Sequence, residues 1–424
     1  MIDCQFFLNL YNIGMANKKS KQNSVHISPK AVIIAVVAIV LIISIGFCVL
    51  YFGFPDTWDS IMSSIYGENT PSNDPDGDTG NNNQNTNPVN DASLQLPSTG
   101  LAFESNDLSV HMLDVGQGDC ILILFPDGKD MLIDCANYNN TKSIREEAFA
   151  YINTYVKDGQ FDYVMLTHCD SDHVYFLDEI IDEYQVDNIY MPNVLATPDS
   201  EKWQGEIAKL DTELVARFTD EDTVTSACYA EFFCAALTEP NCTVTLNVDP
   251  DENTNSIVIS GTGYKLTFYC PTQEYYDNSN LKSAESKNAI SPIGILEYNG
   301  FRVVLTGDSN EINEPTFISR LPGGKLDCDI LKVGHHGSET SSTETFLDAI
   351  TCEYAFISCN ASGNTFNHPR QTTLDRFVER DMAIYRTDNN GNIVFVLNTK
   401  ITVYVETRVE QSVNRQGLGS PTKN

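Results

Sequence analysis

Thr167-His168-Cys169-Asp170-Ser171-Asp172-His173 packs four metal-competent side chains, His168, Asp170, Asp172 and His173, into six residues. The apolar run Tyr163-Val164-Met165-Leu166 precedes it and reads as a buried strand. Two imidazoles and two carboxylates are therefore released together at one strand end. That donor mixture suits a hard-to-borderline divalent cation. Burying such groups together without a metal or hydrogen bonds to compensate them is costly. A solvated polar loop is the alternative. It loses weight because further clusters of the same character follow.

Leu305-Thr306-Gly307-Asp308 ends another apolar strand, and Gly307 allows close backbone approach there. A carboxylate at Asp308 is placed to bridge two metals. Gly334-His335-His336-Gly337-Ser338 follows the apolar run 330–333, and Asn367-His368-Pro369 follows the run 355–358. The chain has seven histidines, and five of them (His168, His173, His335, His336, His368) lie in such loops. His26 sits in the N-terminal tail and His111 inside the first strand. If the carboxyl ends of the strands share one rim, the five converge.

At 424 residues with a formal net charge of −32, the protein is large and strongly acidic. Such charge repels polyanions at long range, although a bound dication inverts the sign locally. Lys and Arg are scattered, and no basic patch supports a nonspecific grip on nucleic acid. Residues 31–54 form 24 uncharged, mostly apolar positions, enough for one transmembrane helix. Lys18, Lys19, Lys21 and Lys30 precede it, which keeps residues 1–30 cytoplasmic and sends the rest outside the cell. An uncleaved anchor is favoured over a signal peptide. Residues 55–107 hold nine acids, no Lys or Arg, and long Asn/Asp/Gly/Pro runs, the composition of a disordered linker. Its Leu96-Pro97-Ser98-Thr99-Gly100 resembles a sortase signal but lacks the apolar tail that normally follows one. The twelve cysteines show no CxxC pair. They read mainly as small buried residues, with Cys228, Cys234 and Cys242 open to disulfide formation outside the cell.

From 108 to 410, strand-like runs alternate with helical patterns at 144–156, 176–184, 343–350 and 372–378, which predicts a layered α/β domain. Residues 197–251 read as an insertion, and 411–424 as a C-terminal tail.

In this order the motifs resemble the metallo-β-lactamase superfamily. THCDSDH matches the HxHxDH signature with its second histidine replaced by Asp170. That replacement, with HMLDVGQGDCILI (111–123), MLIDCAN (131–137), VVLTGD (303–308) and LKVGHHGSETS (331–341), resembles the hydrolase domain of ComEC-type competence proteins, here as a free-standing, membrane-anchored relative. Phosphorylcholine esterases of the superfamily are a looser likeness. The resemblance implies a four-layer αββα sandwich and two divalent ions, zinc or manganese. His168 and Asp170 are the implied ligands of the first ion and Asp172 and His173 of the second. Asp308 would bridge them, and His335, or else His336, would complete the second site. Asp134 would orient the metal loop, Asp114 border the site, and His368 and Ser338 approach the substrate. Asp172, His336 and His368 are the implied proton-handling or anion-stabilising groups. Two departures stand out. Val174-Tyr175-Phe176-Leu177 replaces the family's Gly-Gly, and no histidine lies between His173 and His335.

The expected function is a membrane-tethered, extracytoplasmic metal-dependent phosphodiesterase or nuclease acting on a phosphoester, DNA or a wall polymer. Cleavage of phosphorylcholine or another wall phosphoester is the alternative enzyme. A surface binding module with a degenerate metal site is the non-enzymatic one. No obligate protein partner is evident.

Overall fold

The computed structural model describes residues 93–194, 226–249, 257–360 and 366–407, and the backbone of 410–412 and 420–422. The expected N-terminal tail and membrane anchor, most of the expected linker and residues 195–225 lie outside the described residues. Among those described, no helix is long and apolar enough to cross a membrane.

The first half of the chain forms β1 (Leu94–Gln95), β2 (Leu108–Met112), β3 (Cys120–Leu124), β4 (Asp130–Cys135), β5 (Gln160–Met165), β6 (Gln185–Met191) and β7 (Thr243–Leu246). Then come β8 (Ile257–Ser260), β9 (Tyr264–Tyr269), β10 (Ile293–Tyr298), β11 (Phe301–Leu305), β12 (Leu326–Asp327), β13 (Ile330–Lys332), β14 (Ile350–Thr351), β15 (Tyr354–Ile357) and β16 (Ala383–Arg386). The chain finally returns to the first sheet with β17 (Ile393–Leu397) and β18 (Ile401–Val405), giving the order β1-β18-β17-β2-β3-β4-β5-β6-β7. The second sheet runs β16-β15-β13-β11-β10-β9-β8.

The central strands β3 (CILIL) and β17 (IVFVL) read as unbroken apolar runs because both of their faces are covered. In β3, Cys120 and Leu122 face one layer while Ile121 and Ile123 face the other. Ile121, Ile123, Met131 and Ile133 meet Leu266, Phe268, Leu296 and Phe356 of the second sheet across the central layer. On the outer face of the first sheet lie α1 (Lys142–Tyr155), α2 (Ser171–Val174), α3 (Leu177–Glu183) and α4 (Ala227–Thr238), anchored by Phe149, Ile152, Ile180 and Phe232. Two short helices follow in the chain, α5 (Gln273–Asn278) and α6 (Ala284–Asn288). The second sheet's outer face carries α7 (Glu314–Arg320), α8 (Glu344–Ala349) and α9 (Gln371–Val378) through Phe317, Phe346 and Phe377. The layers are helix, sheet, sheet, helix, the αββα sandwich that the motifs imply.

The two sheets are parallel where it matters for the site. β4 pairs in parallel with β5, and β5 with β6. β11, β13 and β15 are likewise parallel neighbours. Helical crossovers carry the chain back each time, so the carboxyl ends of β4, β5, β11, β13 and β15 open on one side. Open α/β sheets bind ligands in the crevice at such ends.

Three sequence expectations change. The linker read over 55–107 ends by Ser93: β1 pairs with β18, and Leu96, Leu101 and Phe103 cover Val394 and Val396. The LPSTG stretch is part of this edge, with the Gly100 amide donating to Pro97 O at 2.9 Å. The insertion read over 197–251 contains α4 and β7, which are integral to the first sheet, since β7 pairs with β6. Among the described residues the disulfide joins Cys328 and Cys352, not members of the Cys228, Cys234 and Cys242 group.

Leu96 is 7% exposed in a small satellite cluster. Leu96→Ala is expected to cost about 2 kcal/mol, the low end for a buried leucine, read as a lowered urea midpoint at unchanged m-value.

Candidate metal centre

The centre is assembled from five strand ends. At the end of β4, Asp134 adopts a left-handed backbone (φ 54°), an uncommon conformation for a residue with a Cβ. Its Oδ1 accepts the Thr167 amide at 2.7 Å, and its Oδ2 accepts Thr167 Oγ1 at 2.8 Å and His173 Nδ1 at 2.7 Å. The β5 loop is thereby tied to β4, and His173 Nε2 is aimed at Asp308 Oδ1, 3.2 Å away.

Asp172 and His173 reach the site on the single turn of α2. The Asp119 amide donates to Asp172 O at 3.0 Å, which locks this turn to the loop before β3. Gly118 between them has no room for a side chain: a Cβ there meets Ala136 O at 2.3 Å and Asp172 O at 2.7 Å. From β11, Gly307 (φ 50°) turns Asp308 inward, and the Asp308 amide donates to Ser291 Oγ at 3.1 Å.

After β13, His335 and His336 are both left-handed (φ 48° and 51°). This double turn sends the two rings to different places. His336 is buried. Its Nδ1 donates to Ser358 O at 3.1 Å, which leaves Nε2 facing Asp172 Oδ2 at 3.4 Å and Asp308 Oδ2 at 3.7 Å. A donor bond to a carbonyl on one ring nitrogen is the usual way a metal-binding histidine is oriented. His335 stays a quarter exposed, with Nε2 3.9 Å from Asp308 Oδ2.

His168 is fully buried, its Nε2 3.9 Å from Asp170 Oδ2 and 4.0 Å from Asp308 Oδ2. Asp170 is ion-paired to Lys287 of α6. His368 packs its ring 5.0 Å from that of His335, at the mouth. The geometry thus brings His168, Asp172, His173, Asp308 and His336 together, with Asp170 and His335 beside them. Asp114 and Ser338 engage other partners. Asp114 is exposed and caps the Gly116 amide, and Ser338 Oγ contacts Thr340 Oγ1 within its own loop.

Two charged residues not singled out as ligands belong to the centre. Asp119 lies 3.5 Å from His336 Nδ1 and 3.9 Å from His173 Nδ1. Lys332 is fully buried, ion-paired to Asp119, and donates to Gly307 O at 2.9 Å. Strand alternation holds the signal for it: Ile330 faces the central layer and Leu331 the helices, so Lys332 points back toward the site.

Burial opposes charge throughout the cluster; neighbouring charges win at His173, His336 and Asp308, and burial wins at His168 and His368. Asp308 and Asp134 outweigh burial and hold His173 well above the usual histidine range. His336 is raised against burial by Asp308 and Asp119. Asp308 lies well below the carboxylate range because His173, His336 and His335 surround it, again against burial. Burial, and then His173, push His168 well down, so it is neutral. Burial and its histidine neighbours push His368 down to about 3.

The donors fit a divalent cation. His168 Nε2, His173 Nε2, His336 Nε2 and Asp308 Oδ1 are buried and make no well-formed hydrogen bond. Buried polar atoms are almost always satisfied, so several orphans aimed at one hollow call for a ligand. His168, His173 and Asp308 form one compact ligand set, and Asp172, His173 and His336 another.

Residues 113–265 match the family model of the metallo-beta-lactamase superfamily. The chain is 25% identical over 312 residues to ComE operon protein 3 of Bacillus subtilis (strain 168), covering 71% of this chain and 34% of the relative. It is 34% identical over 98 residues to competence protein ComA of Neisseria gonorrhoeae, covering 23% of this chain and 14% of the relative. The chain thus spans about a third of the length of the first relative and a seventh of the second. Among solved structures, the metallo-beta-lactamase fold protein YhfI from Bacillus subtilis is 12% identical, with a TM-score of 0.38, over 68% of this chain and all of that one. Val174, Phe176 and Leu177 enter the helical layer fully buried, and the Phe176 amide donates to Cys135 O at 2.9 Å.

Because Asp308 and the neighbouring carboxylates raise the proton affinity of His173 and His336, a coordinating cation competes with protons at these nitrogens. Zinc or manganese binding to the full chain is expected to release protons and to weaken as pH falls. Calorimetric titration in buffers of different ionisation enthalpy reads both effects.

Proposed function

We propose that this protein is a divalent-metal-dependent phosphodiesterase or nuclease acting outside the cytoplasmic membrane, tethered by residues 31–54. The observation that carries the reading is the set of buried, unpartnered donors of His168, His173, His336 and Asp308 converging beside Asp172. Asp172, His173, His336 and Asp308 would hold the cation. A cation there supplies Lewis acidity and lowers the pKa of water.

The chain's own residues then do the following. Asp134 and Ser358 O fix the tautomers of His173 and His336. Lys332 neutralises Asp119, so the centre keeps a bounded negative charge. His335, at the mouth and lowered by burial, is a neutral imidazole able to take or relay a proton. His368 is neutral as well, and serves as a hydrogen-bonding wall. The Cys328–Cys352 disulfide supports an oxidising, extracytoplasmic setting.

Relatives named for competence favour a nucleic-acid phosphodiester. The surface adds a matching feature. Tyr138 and Phe366 are 41% and 39% exposed and meet edge-to-face at 5.1 Å, and Phe366 stands 6.0 Å from His368. A base face stacks on such rings. A choline head group also binds aromatic faces, and the net charge of −32 suits a non-polyanionic wall phosphoester better than DNA. That is the second reading.

The full chain, loaded with manganese or zinc, is expected to hydrolyse single-stranded DNA and bis-p-nitrophenyl phosphate. Asp308→Asn is expected to lower kcat at least 100-fold. Tyr138→Ala is expected to raise KM for the oligonucleotide several-fold at little change in kcat. Turnover of p-nitrophenyl phosphorylcholine with none of DNA selects the second reading, and no turnover with any divalent metal defeats both.

A further inference from the structure

Around Asp308 the donors form two unequal halves. On one side His173 Nε2 lies 3.2 Å from Asp308 Oδ1, and His336 Nε2 lies 3.4 Å from Asp172 Oδ2 and 3.7 Å from Asp308 Oδ2. Donors sharing one tetrahedral ion at about 2.0–2.1 Å sit roughly 3.4 Å apart, so this half is close to closed. On the other side His168 Nε2 is 3.9 Å from Asp170 Oδ2 and 4.0 Å from Asp308 Oδ2. This half, which shares His173 and Asp308 with the first, is wider, and it already contains a positive charge, since Lys287 Nζ is bound to Asp170 Oδ1.

Lys287 reaches that position on α6, whose neighbours are committed to other tasks. Asn288 Nδ2 contacts the His335 ring at 3.2 Å, and Ser291 Oγ contacts His168 Nδ1 at 3.3 Å. Both side chains of the ion pair are 23% exposed, so the charges are only partly solvated. A dication entering here must break the pair or lie beside an ammonium group. Coulomb repulsion at that range is poorly screened in a partly buried site. The unpartnered His168 Nε2 is one ligand, which a water or a substrate oxygen can also satisfy.

We propose that Lys287 is a built-in substitute for the first cation: its ammonium occupies Asp170, and the centre binds one divalent ion tightly through Asp172, His173, His336 and Asp308. Lys287 then presents a fixed positive charge on the side of the pocket where a second ion would meet a substrate oxygen. This rests on the metal-centre reading above and deepens it.

Metal counting on the gel-filtered full chain tests it, after equilibration with manganese and with zinc, together with electron paramagnetic resonance of the manganese form. The wild type is expected to retain one equivalent with an uncoupled manganese spectrum. Lys287→Met keeps the stem and removes the charge. It is expected to retain two equivalents, with an exchange-coupled spectrum and a second dissociation constant at least tenfold tighter than in the wild type. Asp170→Asn is expected to keep one equivalent, and Asp172→Asn to lose it, so the proposal stays testable should Lys287→Met misfold. Two comparable equivalents in the wild type overturn the proposal, as does a folded Lys287→Met that stays at one. No metal in the wild type is a separate failure, because it sinks the metal-centre reading itself.

Discussion

A single buried carboxylate organises the pocket. Asp134 takes three hydrogen bonds, from Thr167 N, Thr167 Oγ1 and His173 Nδ1, and so joins β4 to the loop that follows β5. Burial, with the nearby Asp119 carboxylate, drives its pKa up, and an unpaired carboxylate in this setting would be strongly destabilising. The imidazolium of His173 and the Thr167 donors offset that cost. Everything downstream inherits its position from this contact: His173 faces Asp308, Asp308 sits under His336, and His336 leans on Ser358 O. The left-handed backbone at Asp134 is part of the same arrangement, because it swings the carboxylate under the loop.

The fold places these groups without needing long side chains. Five parallel strand ends from two sheets face one crevice, and each contributes a residue within a few positions of its last strand residue. The central layer of Ile121, Ile133, Leu296 and Phe356 sets the sheets against each other. A packed interior resists compression, so the separation of the two halves of the ligand set is a property of the core rather than of the loops.

Much of this was legible beforehand. The runs before His168, Asp308 and His335 (Tyr-Val-Met-Leu, Phe-Arg-Val-Val-Leu and Ile-Leu-Lys-Val) each stop within a residue of a strand end, since a strand covered on both faces is mostly apolar. Other features left no such trace. Leu96, Leu101 and Phe103 are spaced irregularly in a polar stretch, so only the partner strand β18 reveals them as core. The region around α4 was opaque because its helix is apolar nearly all round, with little periodicity to read. Proximity to the strand favoured His335 over His336, but two successive left-handed residues reverse which ring turns inward, and sequence spacing does not encode that. Lys287 lies on a short helix far from any strand-end motif, and its role exists only through its contact with Asp170.

The edge formed by Leu96 to Gly100 has one further consequence. Leu96 is buried and its amide donates to Val405 O at 2.7 Å, so the five-residue word that looks like a transpeptidase signal is held in a folded turn. An enzyme that threads its substrate as an extended peptide meets only the tips of Pro97, Ser98 and Thr99. Cutting there requires the terminal strand to peel away first, and the sheet's own margin thereby shields the chain from being severed from whatever precedes it.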